Sequence, residues 1–183
     1  IDPLLMIDKY GADAFRFTLA AFAAQGRDVR FSEERVEGYR HFINKLWNAT
    51  KFILSNSESG ERQRLETESL DLASRWILSR LAFAADEVNR NLANYRFNDA
   101  ASGIYHFVWH EFCDWYIEFT KPVLYHGDDE EKAKVISCLF FVLEKTIQIL
   151  HPFIPHVTEE LWNSVFGYSK SIMISQYPLK LPN

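Results

Sequence analysis

The sequence predicts an all-α protein: an antiparallel bundle of four to five long helices joined by short connections. Two observations lead to that fold class. Apolar residues recur every three or four positions through several long segments, which is the period of an amphipathic helix. Of the 183 residues, 48% are hydrophobic and 15% are aromatic, which is enough for one sizeable buried core.

Helix starts in the first third of the chain follow the rule that a short polar side chain precedes the first helical turn. Residues 27–31 alternate polar and apolar side chains, as a short extended piece does. Residues 55–67 are rich in Ser, Asn, Gly and Glu and predict a surface loop. The three caps that we expect in this part of the chain are Asp2, Asp13 and Ser32.

The later segments supply the remaining helices. Asn98 or Asp99 is expected to cap the helix that reaches about residue 120, and Pro122 is expected to end that helix. The tail 171–176 is a candidate for a short C-terminal strand. The expected helices cover residues 71–94, 99–120, 129–150 and 156–166.

The helix expected over residues 38–54 has two unlike faces when it is drawn at about 100° per residue. One face is apolar, and no acidic residue occurs anywhere in 38–57. Cations and amides contact phosphates and base edges, and an exposed ring stacks on an unpaired base, so the other face predicts binding to single-stranded RNA. The alternative is a solvated surface whose one aromatic ring packs under a neighbouring helix. The face consists of Arg40, His41, Asn44, Lys45, Asn48, Lys51 and Phe52.

Composition limits the other functions. The net charge is −5, so an RNA site has to be a local patch on an acidic body. No Cys-x-x-Cys pair accompanies the scattered histidines, so we expect no zinc site and two reduced, buried thiols, Cys113 and Cys138. No signal peptide or long apolar run occurs and the chain does not begin with Met. We therefore expect a cytoplasmic piece of a longer protein, cut at both ends.

Three carboxylates lie at i, i+3 and i+7 of the helix expected over residues 99–120. Such a set is able to bind a metal, but the Glu-x-x-His spacing of di-iron bundles is missing. We therefore favour pairing of Glu111, Asp114 and Glu118 with basic side chains of a neighbouring helix. The candidate partners are Arg75, Arg80 and Arg90.

Nucleophilic catalysis is a further alternative. Cys113 has His110 one helical turn before it, but the apolar surroundings favour a packed thiol. The seven glycines are scattered singly, so no phosphate-binding loop is present, and we expect no catalytic residue in this chain. The aromatic residues Trp109, Trp115 and Tyr116 are expected in the core rather than against bases.

Several runs of the sequence resemble class I aminoacyl-tRNA synthetases, and among these the valyl-tRNA synthetases most closely. The runs that favour the valyl enzymes are G-R-D-V-R-F (26–31) and N-K-L-W-N-A (44–49). The run H-P-F-I-P-H-V-T-E-E-L-W (151–162) is similar in the valyl, isoleucyl and leucyl enzymes, so the last two stay as alternatives. The resemblance covers essentially the whole chain, and its further runs are 1–19, 71–81 and 107–118.

The resemblance implies a division of the chain and an activity for its parent. Residues 1–31 would be the stem-contact segment, residues 32–166 the helical anticodon-binding domain and residues 167–183 a C-terminal tail. The parent would be a monomeric valine–tRNA ligase that uses ATP and Mg²⁺. Because its catalytic and editing domains would lie upstream, this chain alone would be inactive and hold no cofactor. The implied partner is the valine-accepting tRNA, with no role for DNA or a membrane.

The resemblance also assigns site residues. Phe52 and Ile117 would sandwich an unstacked anticodon base, while Lys45 and Lys51 contact phosphate or base edges. Asn44 and Asn48 are further donors and acceptors beside them, and Arg40 lies on the same face. Arg27 and Arg30 are candidates for the tRNA stem. A helical scaffold that binds another protein through this face is the alternative from a different functional class.

Overall fold

The computed structural model describes residues 2–23, 31–57, 65, 69–167 and 170–181. Within these ranges the chain forms a bundle of helices and no strand, as the apolar periodicity predicts. None of these helices combines the length and the apolar character that crossing a membrane requires. The helices are α1 Pro3–Tyr10, α2 Ala12–Phe22, α3 Glu33–Ser55, α4 Leu72–Ala93, α5 Phe97–His106, α6 Ile117–His126, α7 Asp129–Leu150 and α8 Pro155–Phe166.

A π-helical segment, Phe107–Tyr116, joins α5 to α6, so that residues 97–126 form one continuous helix. The segment packs against α4 on one side and against α3 on another, which confirms the central position predicted for this helix. The prediction that Pro122 ends the helix is wrong, since α6 runs on to His126. Pro122 lies on an exposed face, where water can satisfy the carbonyl group that loses its amide partner.

One hydrophobic cluster forms most of the core. It extends from Phe17 of α2 to Ile172 beyond α8, and it includes Phe42, Phe112 and Tyr116, which are fully buried. Burying a side chain of this size stabilises the fold by about 1.5–3 kcal/mol. The segments before residue 32 and after residue 166 therefore share a core with the bundle between them. The three-part division of the chain remains a prediction from the resemblance.

The caps of the first helices differ in part from the predicted ones. Asp2 caps α1 as expected, since its carboxylate accepts a hydrogen bond from the amide of Leu4. Ser32 occupies the N-cap position of α3, but its hydroxyl makes no capping hydrogen bond there. Asp13 does not cap α2, which begins after Gly11, whose φ of +91° suits a glycine.

Asp13 instead caps a helix distant in sequence. Its buried carboxylate accepts hydrogen bonds from the amides of His156 (3.2 Å) and Val157 (2.7 Å), in the first turn of α8. A carboxylate is favourable there because the first amides of a helix have no partner within the helix. The error arose because a local pattern cannot show which helix end a side chain will reach.

Two further boundaries were predicted incorrectly. Helix α5 begins at Phe97 with Arg96 at its N-cap, so neither Asn98 nor Asp99 caps it. Asp99 pairs instead with the guanidinium of Arg96 at 2.6 Å. The short C-terminal strand is absent from the described residues, because Ile172–Ile174 form a 3₁₀ turn that the hydroxyl of Ser171 caps. The residues 27–31, expected to be extended, lie outside the described residues except for Phe31.

Candidate nucleic-acid interface

Helix α3 presents its polar face to solvent as the sequence predicts. Its apolar stripe, which includes Phe42, Leu46 and Ile53, is buried. Residues three and four apart share a helix face, so the opposite stripe is a continuous polar surface. The exposed members of this stripe are Arg40, His41, Asn44, Asn48 and Lys51.

Beside the exposed His41, three further side chains of this stripe are available to a ligand. Asn44, Asn48 and Lys51 follow one another at intervals of four and three residues and are all exposed. Within the described part of the chain, none of the three makes a side-chain hydrogen bond or an ion pair. Each amide carries both donors and an acceptor, which matches the mixed edges of nucleobases. These three side chains therefore offer one cation and two amide groups.

Lys45 is bound to the central helix. Its ammonium group forms an ion pair with Asp114 of the π segment and lies 4.1 Å from the centroid of the Trp109 ring. The Trp109 ring in turn stacks on Tyr105, with centroids 5.6 Å apart. The side chain of Lys45 is 27% exposed, so a phosphate or base that binds it has to compete with Asp114.

Phe52 lies half-buried at the edge of α3, packed against the core. The ammonium group of Lys121 on α6 lies 5.9 Å from the centroid of its ring and pairs with Glu118 at 2.6 Å. Part of the ring faces solvent between α3 and α6, next to a cation. The sequence left two alternatives for Phe52, a ring packed under a neighbouring helix or a ring exposed for stacking. In the structure the ring is partly packed and partly accessible.

The remaining predicted residues are placed less favourably for RNA. Ile117, the predicted second half of the base sandwich, belongs to the core and is only 6% exposed. Arg40 donates a hydrogen bond to the carbonyl of Lys9 at 3.1 Å, near the C-terminal end of α1. The candidates Arg27 and Arg30 lie outside the described residues. The roles of these four residues toward RNA stay predictions.

The three carboxylates of the central helix pair with cations, as favoured over metal binding. Glu111 accepts two hydrogen bonds from the guanidinium of Arg80, at 2.9 and 2.8 Å, so one of the three proposed arginines is its partner. Asp114 and Glu118 pair instead with Lys45 and Lys121. Among the residues that the structure describes, no group of three or more His, Cys, Asp and Glu side chains is placed to hold a metal ion.

The pairing changes the electrostatics of the interface. The absence of acidic residues from 38 to 57 suggested a purely basic surface, but Asp114 reaches it from the neighbouring helix, and Glu118 pairs with Lys121 of its own helix, beside Phe52. The predicted face is therefore a mixed surface, on which neither Arg40 nor Lys51 forms an ion pair with a described carboxylate. The spacing of Asp114 and Glu118 at i and i+4 shows in the sequence that the two acids share one helix face. The sequence does not show which neighbouring helix that face contacts.

The prediction that Trp115 of the central helix lies in the core is wrong. Trp115, expected in the core, is 56% exposed and lies 5.6 Å from the ring of Phe119, which is 49% exposed. Tyr116 is fully buried as expected, and its hydroxyl group lies 2.8 Å from that of Ser74. Trp109 is half-buried beneath Lys45. A helix that is apolar all round thus still leaves one sector facing solvent.

The thiols are not placed for nucleophilic chemistry. Burial raises the pKa of Cys113 to about 12 and that of Cys138 to about 11, and both thiols are free. His110 does not activate Cys113, since its Nδ1 atom lies 3.3 Å from the Asp114 carboxylate. A thiol reacts through its thiolate, so these values favour the packed thiol predicted from the sequence.

The fold and this face define a helical domain suited to RNA, and comparison with known proteins identifies its class. The family model of the anticodon-binding domain of tRNA ligase matches residues 74–183, and the chain belongs to this family. The chain is similar to a valine–tRNA ligase of Geobacter sulfurreducens, with 54% identity over an alignment of 186 positions that covers 100% of the chain. A valine–tRNA ligase of Aquifex aeolicus is 45% identical over 193 positions, covering 98% of the chain.

The aligned part is a limited share of these relatives. It covers 21% of the Geobacter protein and 17% of the Aquifex protein, so the chain spans about a fifth of their length. A solved structure, the ternary complex of an Agrobacterium radiobacter LeuRS with tRNA and LeuAMS, superposes with a TM-score of 0.73. The match covers 97% of this chain and 21% of the LeuRS, at 18% identity, and shows a shared fold.

Proposed function

We propose that this chain is the anticodon-binding module of a valine–tRNA ligase, which attaches valine to its tRNA at the expense of ATP. The observation that carries the proposal is the stripe of Asn44, Asn48 and Lys51, which has no partner within the described part of the chain and lies beside the half-buried ring of Phe52. Unpaired amides, a cation and an accessible ring are what an unstacked base and its phosphate require.

The similarity to valine–tRNA ligases supports the choice of amino acid. Identity to the Geobacter enzyme is 54%, whereas identity to the solved LeuRS is 18%, so the isoleucyl and leucyl alternatives have less support. By the same reasoning the bound RNA is the valine-accepting tRNA. A monomeric state and a cytoplasmic location stay predictions.

The activity of the parent would depend on residues outside this module. The three carboxylates considered as metal ligands, Glu111, Asp114 and Glu118, are each paired with a cationic side chain. They are therefore poor ligands for a cation that requires free carboxylate oxygens. We propose that ATP and Mg²⁺ bind elsewhere in the parent enzyme, and that this chain alone neither activates valine nor transfers it.

The salt dependence of RNA binding tests the proposal against a protein-binding scaffold. Binding to the valine tRNA should weaken steeply with added salt, because cations on the protein release counterions from the phosphates. An apolar protein-binding groove would respond weakly to salt. Affinity that is independent of salt, or no affinity for the tRNA at low salt, would overturn the proposal.

Substitution of Phe52 tests the stacking contact. Phe52→Ala should weaken tRNA binding by about 1–3 kcal/mol, the usual contribution of a ring stacked on a base. The matched control is Phe83→Ala, which removes a 53%-exposed phenylalanine from α4, away from the interface. If the two folded variants bind tRNA equally well, Phe52 does not belong to the site.

A further inference from the structure

Two histidines at the junction of α5 and the π segment form a pair that the RNA-binding role does not use. His106 and His110 are four residues apart and lie on one side of the helix. The centroids of their imidazole rings are 5.1 Å apart, and the ring planes are inclined at 53°. Both side chains are accessible, with exposed fractions of 64% and 49%.

A carboxylate lies behind each imidazole ring. The Nδ1 atom of His106 is 3.5 Å from Oε1 of Glu111, and the Nδ1 atom of His110 is 3.3 Å from Oδ2 of Asp114. At His110 this contact is a hydrogen bond, which favours the tautomer that carries its proton on Nδ1 and leaves the lone pair of Nε2 for a ligand. Imidazoles that bind metals in proteins are commonly oriented in this way. The His106–Glu111 contact is longer and is electrostatic.

These two carboxylates are themselves held by basic side chains. Arg80 of α4 donates two hydrogen bonds to Glu111, and Lys45 of α3 pairs with Asp114. The anchoring fixes the carboxylates as orienting groups, and it also balances the charge of Arg80 and Lys45. The surroundings therefore do not repel a divalent cation through unpaired positive charge on Arg80 or Lys45.

We propose that His106 and His110 form a binding site for a divalent transition-metal ion such as Zn²⁺, Ni²⁺ or Cu²⁺. Imidazole nitrogen suits these ions, whereas Mg²⁺ and Ca²⁺ prefer oxygen ligands. The two Nε2 atoms would each bind the metal at about 2.0–2.1 Å. With two protein ligands, water completes the coordination and binding is reversible. The inference is independent of RNA binding.

Titration calorimetry on the full chain, prepared without a histidine tag, tests this site. Zn²⁺ and Ni²⁺ should each bind saturably at one ion per chain, and Mg²⁺ should not compete. His106→Gln and His110→Gln should each abolish the saturable binding. Asp114→Asn, which keeps both imidazoles, should weaken it about tenfold through the loss of the orienting carboxylate. Because the two histidines are exposed, His106→Gln and His110→Gln should keep the wild-type unfolding midpoint.

The matched control is His126→Gln, which removes an exposed histidine from α6. This variant should bind Zn²⁺ and Ni²⁺ with the affinity of the wild type. The proposal is overturned if the wild-type chain shows no saturable binding of either ion. It is also overturned if His106→Gln or His110→Gln binds the ions as tightly as His126→Gln does.

Discussion

The two sides of the π segment use the same chemistry with different consequences. On the side that faces α4, Glu111 binds Arg80 through two hydrogen bonds, and its side chain is 10% exposed. On the side that faces α3, Asp114 binds Lys45 and its side chain is 41% exposed. The two carboxylates are only three residues apart. The difference in their exposure therefore arises because α4 covers Glu111 more completely than α3 covers Asp114.

This difference separates a structural contact from an exchangeable one. Removing one partner of a largely buried pair leaves a charge with little access to water, so the Arg80–Glu111 pair resists disruption. The Lys45–Asp114 pair is partly solvated, so either member can exchange its partner for a ligand at small cost. We infer that the α4 side holds the bundle together, while the α3 side is able to bind RNA.

Arg80→Met should have the largest effect on stability. Loss of the guanidinium leaves Glu111 nearly buried and unpaired, and we expect a destabilisation of about 2–3 kcal/mol, below the value for fully buried pairs because Arg80 is 38% exposed. Urea unfolding measures the change. The control is Arg75→Met, an exposed arginine of the same helix. If Arg80→Met and Arg75→Met have equal free energies of unfolding, the α4 side of the π segment is not the structural side that we infer.

Tyr116→Phe should have a smaller effect on the same side. The Tyr116 hydroxyl lies 2.8 Å from that of Ser74, which also donates to Asp71 at 2.7 Å, so the variant loses one hydrogen bond of a buried network. We expect a loss of about 1 kcal/mol in the free energy of unfolding. Tyr125→Phe on the exposed surface of α6 is the comparison, and it should match the wild type in the same urea experiment.

Lys45→Met should have the smallest effect on stability and a clear effect on RNA. Because the ion pair with Asp114 is partly exposed, the free energy of unfolding should fall by less than about 1 kcal/mol. The dependence of log K for tRNA on log salt concentration should become shallower by about 1, as expected for one lost phosphate contact. Lys134→Met on α7 serves as control. A stability loss as large as that of Arg80→Met, with unchanged RNA binding, would make Lys45 a structural residue.

Periodicity predicted the helices well where the determining contacts are local. The apolar stripe of α3 and the starts of α4 and α7 appear as expected, and the structure shows that Asp71 and Asp128 cap these two helices. These features depend on residues within one or two turns of each other, which the sequence displays directly. The exposed positions of Asn44 and Asn48 followed from the same wheel.

Several of the predictions that failed depended on contacts between distant segments, whereas those for Pro122 and for the cap of α5 failed at local helix boundaries. Asp13 caps α8 rather than α2, and Asp114 pairs with Lys45, 69 residues earlier in the chain. Neither contact follows from spacing, because both require knowledge of which helices pack together. Trp115 was misplaced for a related reason, since an apolar helix does not reveal which sector its neighbours leave open.

The most direct test of the RNA-binding account compares two short RNA hairpins at low salt. One hairpin carries a valine anticodon loop, and the other carries the same loop with its central base changed. We predict tighter binding to the first hairpin, and we expect this preference to disappear in Phe52→Ala. Equal affinity for both hairpins, unchanged by Phe52→Ala, would contradict the assignment of the α3 face as the anticodon-reading surface.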